Sequence, residues 1–221
     1  MSIKENISGI LASMPQNVKL IAVTKTRSIE EIKEAYDFGL RDFGENKVQE
    51  LINKYDEFDP SVRWHLIGHL QRNKVKYIVG KVFLIHSLDS VRLLEEIEKQ
   101  YSLIAIKAQV LIEINIGREE NKTGILLEEL EELLISLEKC NHVVAKGLMT
   151  VLPICSEEEQ KQYFKEIKKL WDKLQSCSYK NIFMEYLSMG MTGDYKAAIL
   201  EGSNMVRIGE GIFGKRNYNN L

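Results

Sequence analysis

KLIAVTKTRSIEEIKEAYDFGL, residues 19–40, holds the unit from which the chain is built. KLIAVTK is an almost continuous apolar run, as expected of a strand buried on both faces. SIEEIKEAYDFGL follows with Ile29, Ile32 and Tyr36 at helical spacing, Ser28 placed as an N-cap and Gly39 near the end. Read outward, the alternation recurs. The predicted strands are RDFGEN, RWHLIG, VFLIHSL, QVLIEINI, VVAKGLMTV, NIFMEYLSMG and MVRIGEGIFG. Between them lie the predicted helices KVQELINKYDEF, QRNKVKYIVG, SVRLLEEIEKQYS, LLEELEELLISLEKC, SEEEQKQYFKEIKKLWDKLQS and a short one from Asp194 to Leu200. Eight strands alternating with helices imply parallel pairing through helical crossovers. In 221 residues that is a compact α/β protein, a single (β/α)8 TIM barrel. A doubly wound open sheet is the alternative; it would use fewer strands, and no G-x-G-x-x-G follows strand one.

The rest of the composition narrows the class. The chain is 44% hydrophobic and 28% charged, enough for one sizeable core. There are three prolines and no low-complexity linker, so one domain is expected over 1–221, with an extra N-terminal helix at about 3–14. The net charge of −2 points neither to nucleic acid nor to an anionic membrane surface. MSIKENISGILASMP is charged and amphipathic, without the apolar core of a signal peptide. No stretch reaches the roughly 18 apolar residues of a membrane span. Cys140, Cys155 and Cys177 lie far apart and read as free thiols in a reducing cytoplasm.

In a barrel of this kind, function sits where strands end at their C-terminal side. Strand one ends in Lys25, on the face shared with Ile21 and Val23 by the two-residue period. A lysine held beside apolar walls has a depressed pKa and suits Schiff-base chemistry; one that snorkels outward to water does not. Strand seven runs into SMGMTGD and strand eight into RIGEG, the two positions where such barrels bind phosphate. Six of the chain's fourteen glycines fall in residues 187–214. They offer backbone N–H groups to an anion, or they merely turn the chain. Thr192 is placed to cap the next helix, and Ser188 adds a hydroxyl. Arg207, on the face of Met205 and Gly209, needs a partner inside an apolar strand. That partner is a phosphate, an acceptor on a bound ring, or an internal carboxylate such as Glu113 or Glu185.

A Schiff-base lysine, a phosphate cup and an arginine together suggest pyridoxal phosphate. AVTKT (22–26), FGENKVQE (43–50), WHLIGHLQRNK (64–74), KTG (122–124), GLMTV (147–151), LSMGMTGD (187–194) and VRIGEGIFG (206–214) carry a resemblance over nearly the whole chain. In these stretches the sequence resembles the pyridoxal-phosphate homeostasis protein family, single-barrel relatives of the alanine racemase barrel domain. The resemblance implies pyridoxal 5'-phosphate held as a covalent aldimine on Lys25. Ser188 and the loop through Thr192 would hold the phosphate, with backbone N–H groups from Gly209 and Glu210, and Arg207 would face the pyridine nitrogen. Asn46 would touch the cofactor, or serve as a turn residue. Two departures stand out: Thr192 replaces the family's usual serine, and Glu210-Gly211 stands where threonine-alanine is common. A glutamate aimed at a phosphate repels it, so Glu210 must point away.

A cation against the pyridine nitrogen disfavours its protonation and makes a poorer electron sink. Racemases of this fold add a second base from another domain and subunit, which a chain ending at Leu221 lacks. The expectation is a cytoplasmic, monomeric protein that buffers or delivers the cofactor, with apo pyridoxal-phosphate enzymes as recipients and no turnover. A small amino-acid racemase is the runner-up, and a Schiff-base aldolase acting on a sugar phosphate the third reading. His65 and His69 have no apparent third ligand, and no metal is expected. Gln71, Asn73 and Lys74 receive no chemical role beyond capping the following helix.

Overall fold

The computed structural model describes residues 2–215, so Met1 and 216–221, the ends of the expected 1–221 domain, lie outside the described residues. Eight parallel strands pair in chain order and close into a barrel: β1 (Lys19–Val23), β2 (Asp42–Glu45), β3 (Arg63–Leu66), β4 (Leu84–Leu88), β5 (Ala108–Glu113), β6 (Val143–Met149), β7 (Ile182–Ser188) and β8 (Met205–Ile208). Closure is made by β8 against β1, where Lys19 pairs with Met205 and Ile21 with Arg207.

Eight α-helices surround them: α1 (Ile3–Ala12), α2 (Ile29–Asp37), α3 (Val48–Tyr55), α4 (Val91–Ser102), α5 (Leu130–Glu138), α6 (Glu157–Gln175), α7 (Tyr195–Leu200) and α8 (Glu210–Phe213). Ser28 caps α2 as the sequence predicts: its side chain accepts from the Glu31 N–H while the Glu31 carboxylate accepts from the Ser28 N–H. Identical boxes open α1 at Ser2 and α6 at Ser156.

The alternation of β side chains sorts the apolar residues into two layers. Leu20, Ala22, Val110, Ile112, Leu148, Val206 and Ile208 face the helices. Ile21, Leu84, Leu111, Met149 and Met205 fill the inside of the barrel. The inward series therefore continues past Ile21 toward Lys25, past Leu111 to Glu113 and past Met205 to Arg207, by the same two-residue period.

Two predicted elements differ. QRNKVKYIVG forms only a 3-10 helix at Arg72–Tyr77. Its buried apolar residues, Val75 and Ile78, stand three apart, which matches a three-residue turn better than an α-helical stripe. MVRIGEGIFG does not remain a strand: β8 stops at Ile208 and the chain turns at Gly209 into α8. α8 packs on α1, and Asn6 Nδ2 donates to the Ile212 carbonyl at 2.8 Å.

Candidate functional site

The C-terminal rim of the barrel gathers the residues singled out above. Lys25 lies two residues past β1, part-buried, in a turn. That turn is clamped from below. Fully buried Thr24 donates its hydroxyl to Glu45 Oε1 at 2.6 Å, and its carbonyl accepts from Lys54 Nζ at 2.9 Å. Lys54 Nζ also pairs with Glu45 Oε1 at 2.7 Å and lies 3.7 Å from Glu50. Glu50 in turn accepts from the Thr26 N–H at 2.7 Å. Thr26 sits at φ 63, a left-handed conformation that a β-branched side chain disfavours. Strain of this kind persists only where surrounding contacts over-determine the backbone, and it concentrates at functional sites. Burial pushes the Glu45 carboxyl up; the Lys54 charge and hydrogen bond pull it back.

Asn46 follows β2 immediately. Its Oδ1 is buried with no hydrogen-bond partner among the described residues. Gly68 lets the next loop press on it: a Cβ there would lie 2.4 Å from the Asn46 carbonyl oxygen. On the far side of the rim, the two glycine loops are joined. Thr192 Oγ1 accepts from the Gly211 N–H at 3.2 Å, so it ties the β7 loop to α8 instead of capping α7. Asp194 occupies the N-cap position of α7 without a side-chain cap bond; its carboxylate accepts from the preceding Met191 N–H at 2.5 Å and so braces the loop. Gly190 has φ +97, and its carbonyl accepts from the Arg207 N–H. Glu210 opens α8 and is exposed.

Arg207 is buried and has no carboxylate partner among the described residues. Its Nη1 donates to the Ser188 carbonyl at 2.8 Å and to Ser188 Oγ at 2.7 Å, and its Nη2 donates to the Thr150 carbonyl at 2.8 Å. Burial lowers its pKa to about 10, which leaves it charged at neutral pH. The fully buried Ser188 hydroxyl is thus engaged below the rim, with Arg207 on one side and His86 on the other. Of the two acids considered as partners, Glu185 binds Lys146 at 2.6 Å on the outside. Glu113 accepts from Thr123 at 2.7 Å through Oε1, while its buried Oε2 has no hydrogen-bond partner among the described residues. Burial pushes the Glu113 carboxyl up to about 7, Asp89 adds to that, and Thr123, Arg207 and His69 oppose it.

The two histidines of WHLIGH separate. His65 is fully buried and bonds to Asp42 and His86, whereas His69 is exposed and pairs with Asp89 at 3.0 Å. Gln71 makes no side-chain cap to the 3-10 helix it precedes. Sequence reasoning passed over Glu45, Glu50, Lys54, His86 and Thr150. The signal for Lys54 was present: it stands on the buried face of α3, three residues beyond Leu51 and six beyond Val48. His86 likewise stands, beside Ser87, as a buried polar residue in β4.

This barrel matches that of a defined class of proteins. The profile of the alanine racemase N-terminal domain matches residues 1–217. The pyridoxal phosphate homeostasis protein of Aquifex aeolicus is 45% identical over 202 residues, covering 90% of this chain and 88% of its own. That of Synechocystis is 37% identical, covering 95% and 96%. The structure of PipY of Synechococcus elongatus, solved without PLP and with PLP bound, superposes with TM-scores of 0.91 and 0.89 at 32% and 31% identity, over 96% of this chain and all of PipY. Alanine racemase of Clostridium difficile, at 18% identity and TM-score 0.77, shares the fold across 57% of its length. The chain belongs to the pyridoxal phosphate homeostasis protein family, built on the alanine racemase N-terminal barrel.

Proposed function

We propose that the protein binds pyridoxal 5'-phosphate at this rim as a Schiff base on Lys25, and that it buffers or delivers the cofactor in the cytoplasm as a monomer without turning over a substrate. The observation that carries this reading is a clamped, strained lysine turn on the same barrel rim as two joined glycine loops, above a buried arginine that no carboxylate contacts among the described residues. The residues fit the group. Asn46 Oδ1 is a buried acceptor lacking a donor, the arrangement expected of an atom placed for a ligand hydroxyl. Backbone N–H groups at Gly209 and Glu210 and in the Met189–Asp194 loop suit a phosphate. Glu210 is exposed, which leaves its carboxylate room to turn to solvent. Arg207, fixed by two main-chain carbonyls and Ser188, would hold its charge toward the cofactor's ring nitrogen. Pyridoxal phosphate supplies a reactive aldehyde and, when its ring is protonated, an electron sink. Arg207 opposes that protonation, which favours holding the cofactor over carbanion chemistry.

The experiment is a visible absorption spectrum of the protein with added pyridoxal phosphate, wild type beside Lys25→Ala, followed by α-deuterium exchange into alanine. The expected outcome is a yellow band in the wild type alone and no rapid exchange. The absence of a band in both proteins defeats the binding reading. Rapid exchange that disappears in Lys25→Ala replaces the carrier with a racemase.

A further inference from the structure

One hydrogen-bonded chain of side chains runs through the inside of the barrel from the N-terminal end toward the rim. Asp42 Oδ1 lies 3.0 Å from His65 Nε2, and His65 Nδ1 lies 3.0 Å from His86 Nε2. His86 Nδ1 lies 3.2 Å from Ser188 Oγ, which accepts from Arg207 Nη1 at 2.7 Å. The five residues come from β2, β3, β4, β7 and β8, and His65, His86 and Ser188 are fully buried.

The two ends decide where every proton sits. A guanidinium only donates. Asp42 only accepts: burial alone would raise its carboxyl, but hydrogen bonds from Arg63 and His65 hold it well below the usual carboxylate range. Arg207 therefore donates to Ser188, and the Ser188 hydroxyl hydrogen has His86 Nδ1 as its acceptor. His86 then carries its proton on Nε2 and donates to His65 Nδ1, and His65 donates from Nε2 to Asp42. All four imidazole nitrogens and the Ser188 hydroxyl hydrogen are then engaged while both rings are neutral. A proton added to His65 would place a hydrogen on Nδ1 and force His86 to the opposite tautomer. The Ser188 hydroxyl would then lose its acceptor in a dry interior, which is unfavourable. Burial acts in the same direction, lowering the pKa of both imidazoles. The charged and titratable groups facing them are Asp42 on β2, Arg63 on β3, Lys19 on β1 and Arg207 on β8, with Tyr186 of β7 beside Asp42 and Arg63.

We propose that Asp42, His65 and His86 are positioning residues for Arg207: the chain runs one way, from guanidinium to carboxylate, and fixes Ser188 and Arg207 beneath the ligand from the opposite end of the barrel. Hydrogen bonds in such a chain polarise one another, so the remote carboxylate acts as a counter-charge without touching the ligand. That the ligand is pyridoxal phosphate rests on the proposed function above; the chain itself does not.

Nitrogen-detected histidine NMR of the full-length protein without ligand tests the chain directly. Between about pH 6 and 8, the interval in which an ordinary histidine titrates, both His65 and His86 should remain neutral with the proton on Nε2. A proton on Nδ1 of either ring, or a charged His65, overturns the proposal. A second arm uses pyridoxal phosphate titrations of Asp42→Asn and Arg63→Gln. Asp42→Asn should weaken binding about tenfold and shift the pH midpoint of the visible band. Arg63→Gln removes the surface partner of Asp42 but leaves the chain intact, and should shift neither. Equal shifts in both variants, or none in Asp42→Asn, reject the positioning role. The tautomers are read without ligand, so a protein that shows no band defeats the cofactor reading alone.

Discussion

Glu113 shows how one buried group makes stability depend on pH. Its carboxyl titrates at about 7 in the folded protein, against about 4.3 in an unfolded chain. Between those values the native state binds the proton that the unfolded state has released, so stability falls as pH rises through this window and levels off above it. The gap corresponds to roughly 4 kcal/mol at full ionisation. Glu113→Gln keeps an acceptor for Thr123 and removes the titration. Urea denaturation at a series of pH values from about 5 to 8 should give a falling stability for the wild type and a flatter profile for the variant, with the variant the more stable at the alkaline end. Superposable profiles would show that Glu113 titrates normally.

At the scale of elements, the rim depends on ties between neighbours. Lys54 on α3 joins β2 to the Lys25 turn through Glu45 and Thr24. Removing one partner of a buried pair strands the other charge, at a cost of about 3–5 kcal/mol. Lys54→Met should destabilise by that order, and Lys54→Met/Glu45→Gln should recover part of the loss because no charge is left stranded. Chemical denaturation of the two variants checks both statements; a double variant no more stable than the single one refutes the ion-pair account. On the other side, Thr192 carries the link between the β7 loop and α8. Thr192→Val should leave stability within about 1 kcal/mol, as for an exposed neutral hydrogen bond, while weakening pyridoxal phosphate binding. Thr192→Ser, which keeps the hydroxyl, should retain wild-type affinity in the same fluorescence or absorbance titration.

For the whole molecule, closure of β8 on β1 brings residues nearly two hundred positions apart into register, so the proposed cofactor site would be lost with the barrel. A ligand that binds only the folded state at a hundred times its dissociation constant stabilises by about 2.7 kcal/mol. Pyridoxal phosphate should therefore raise the urea midpoint of the wild type in one cooperative transition, and much less that of Lys25→Ala. Two separable transitions would argue against one barrel domain, and equal shifts in both proteins would argue against Lys25 as the anchor.

The sequence by itself determined the barrel and the places of its glycine loops. Strand and helix periods are local properties of the chain, eight repeats of them leave few architectures, and glycine loops at the ends of strands seven and eight mark themselves by composition. The stop of β8 at Ile208 and the 3-10 turn at Arg72–Tyr77 were less legible, because packing overrode local pattern there. Only the tertiary structure decided which buried polar groups meet. Glu45 with Lys54, and Asp42 through the histidines to Arg207, join strands and helices whose spacing along the chain carries no trace of the contact. A buried charge must find a partner, but which one it finds is set by closing the barrel, which turns the inward side chains of separate strands toward one axis.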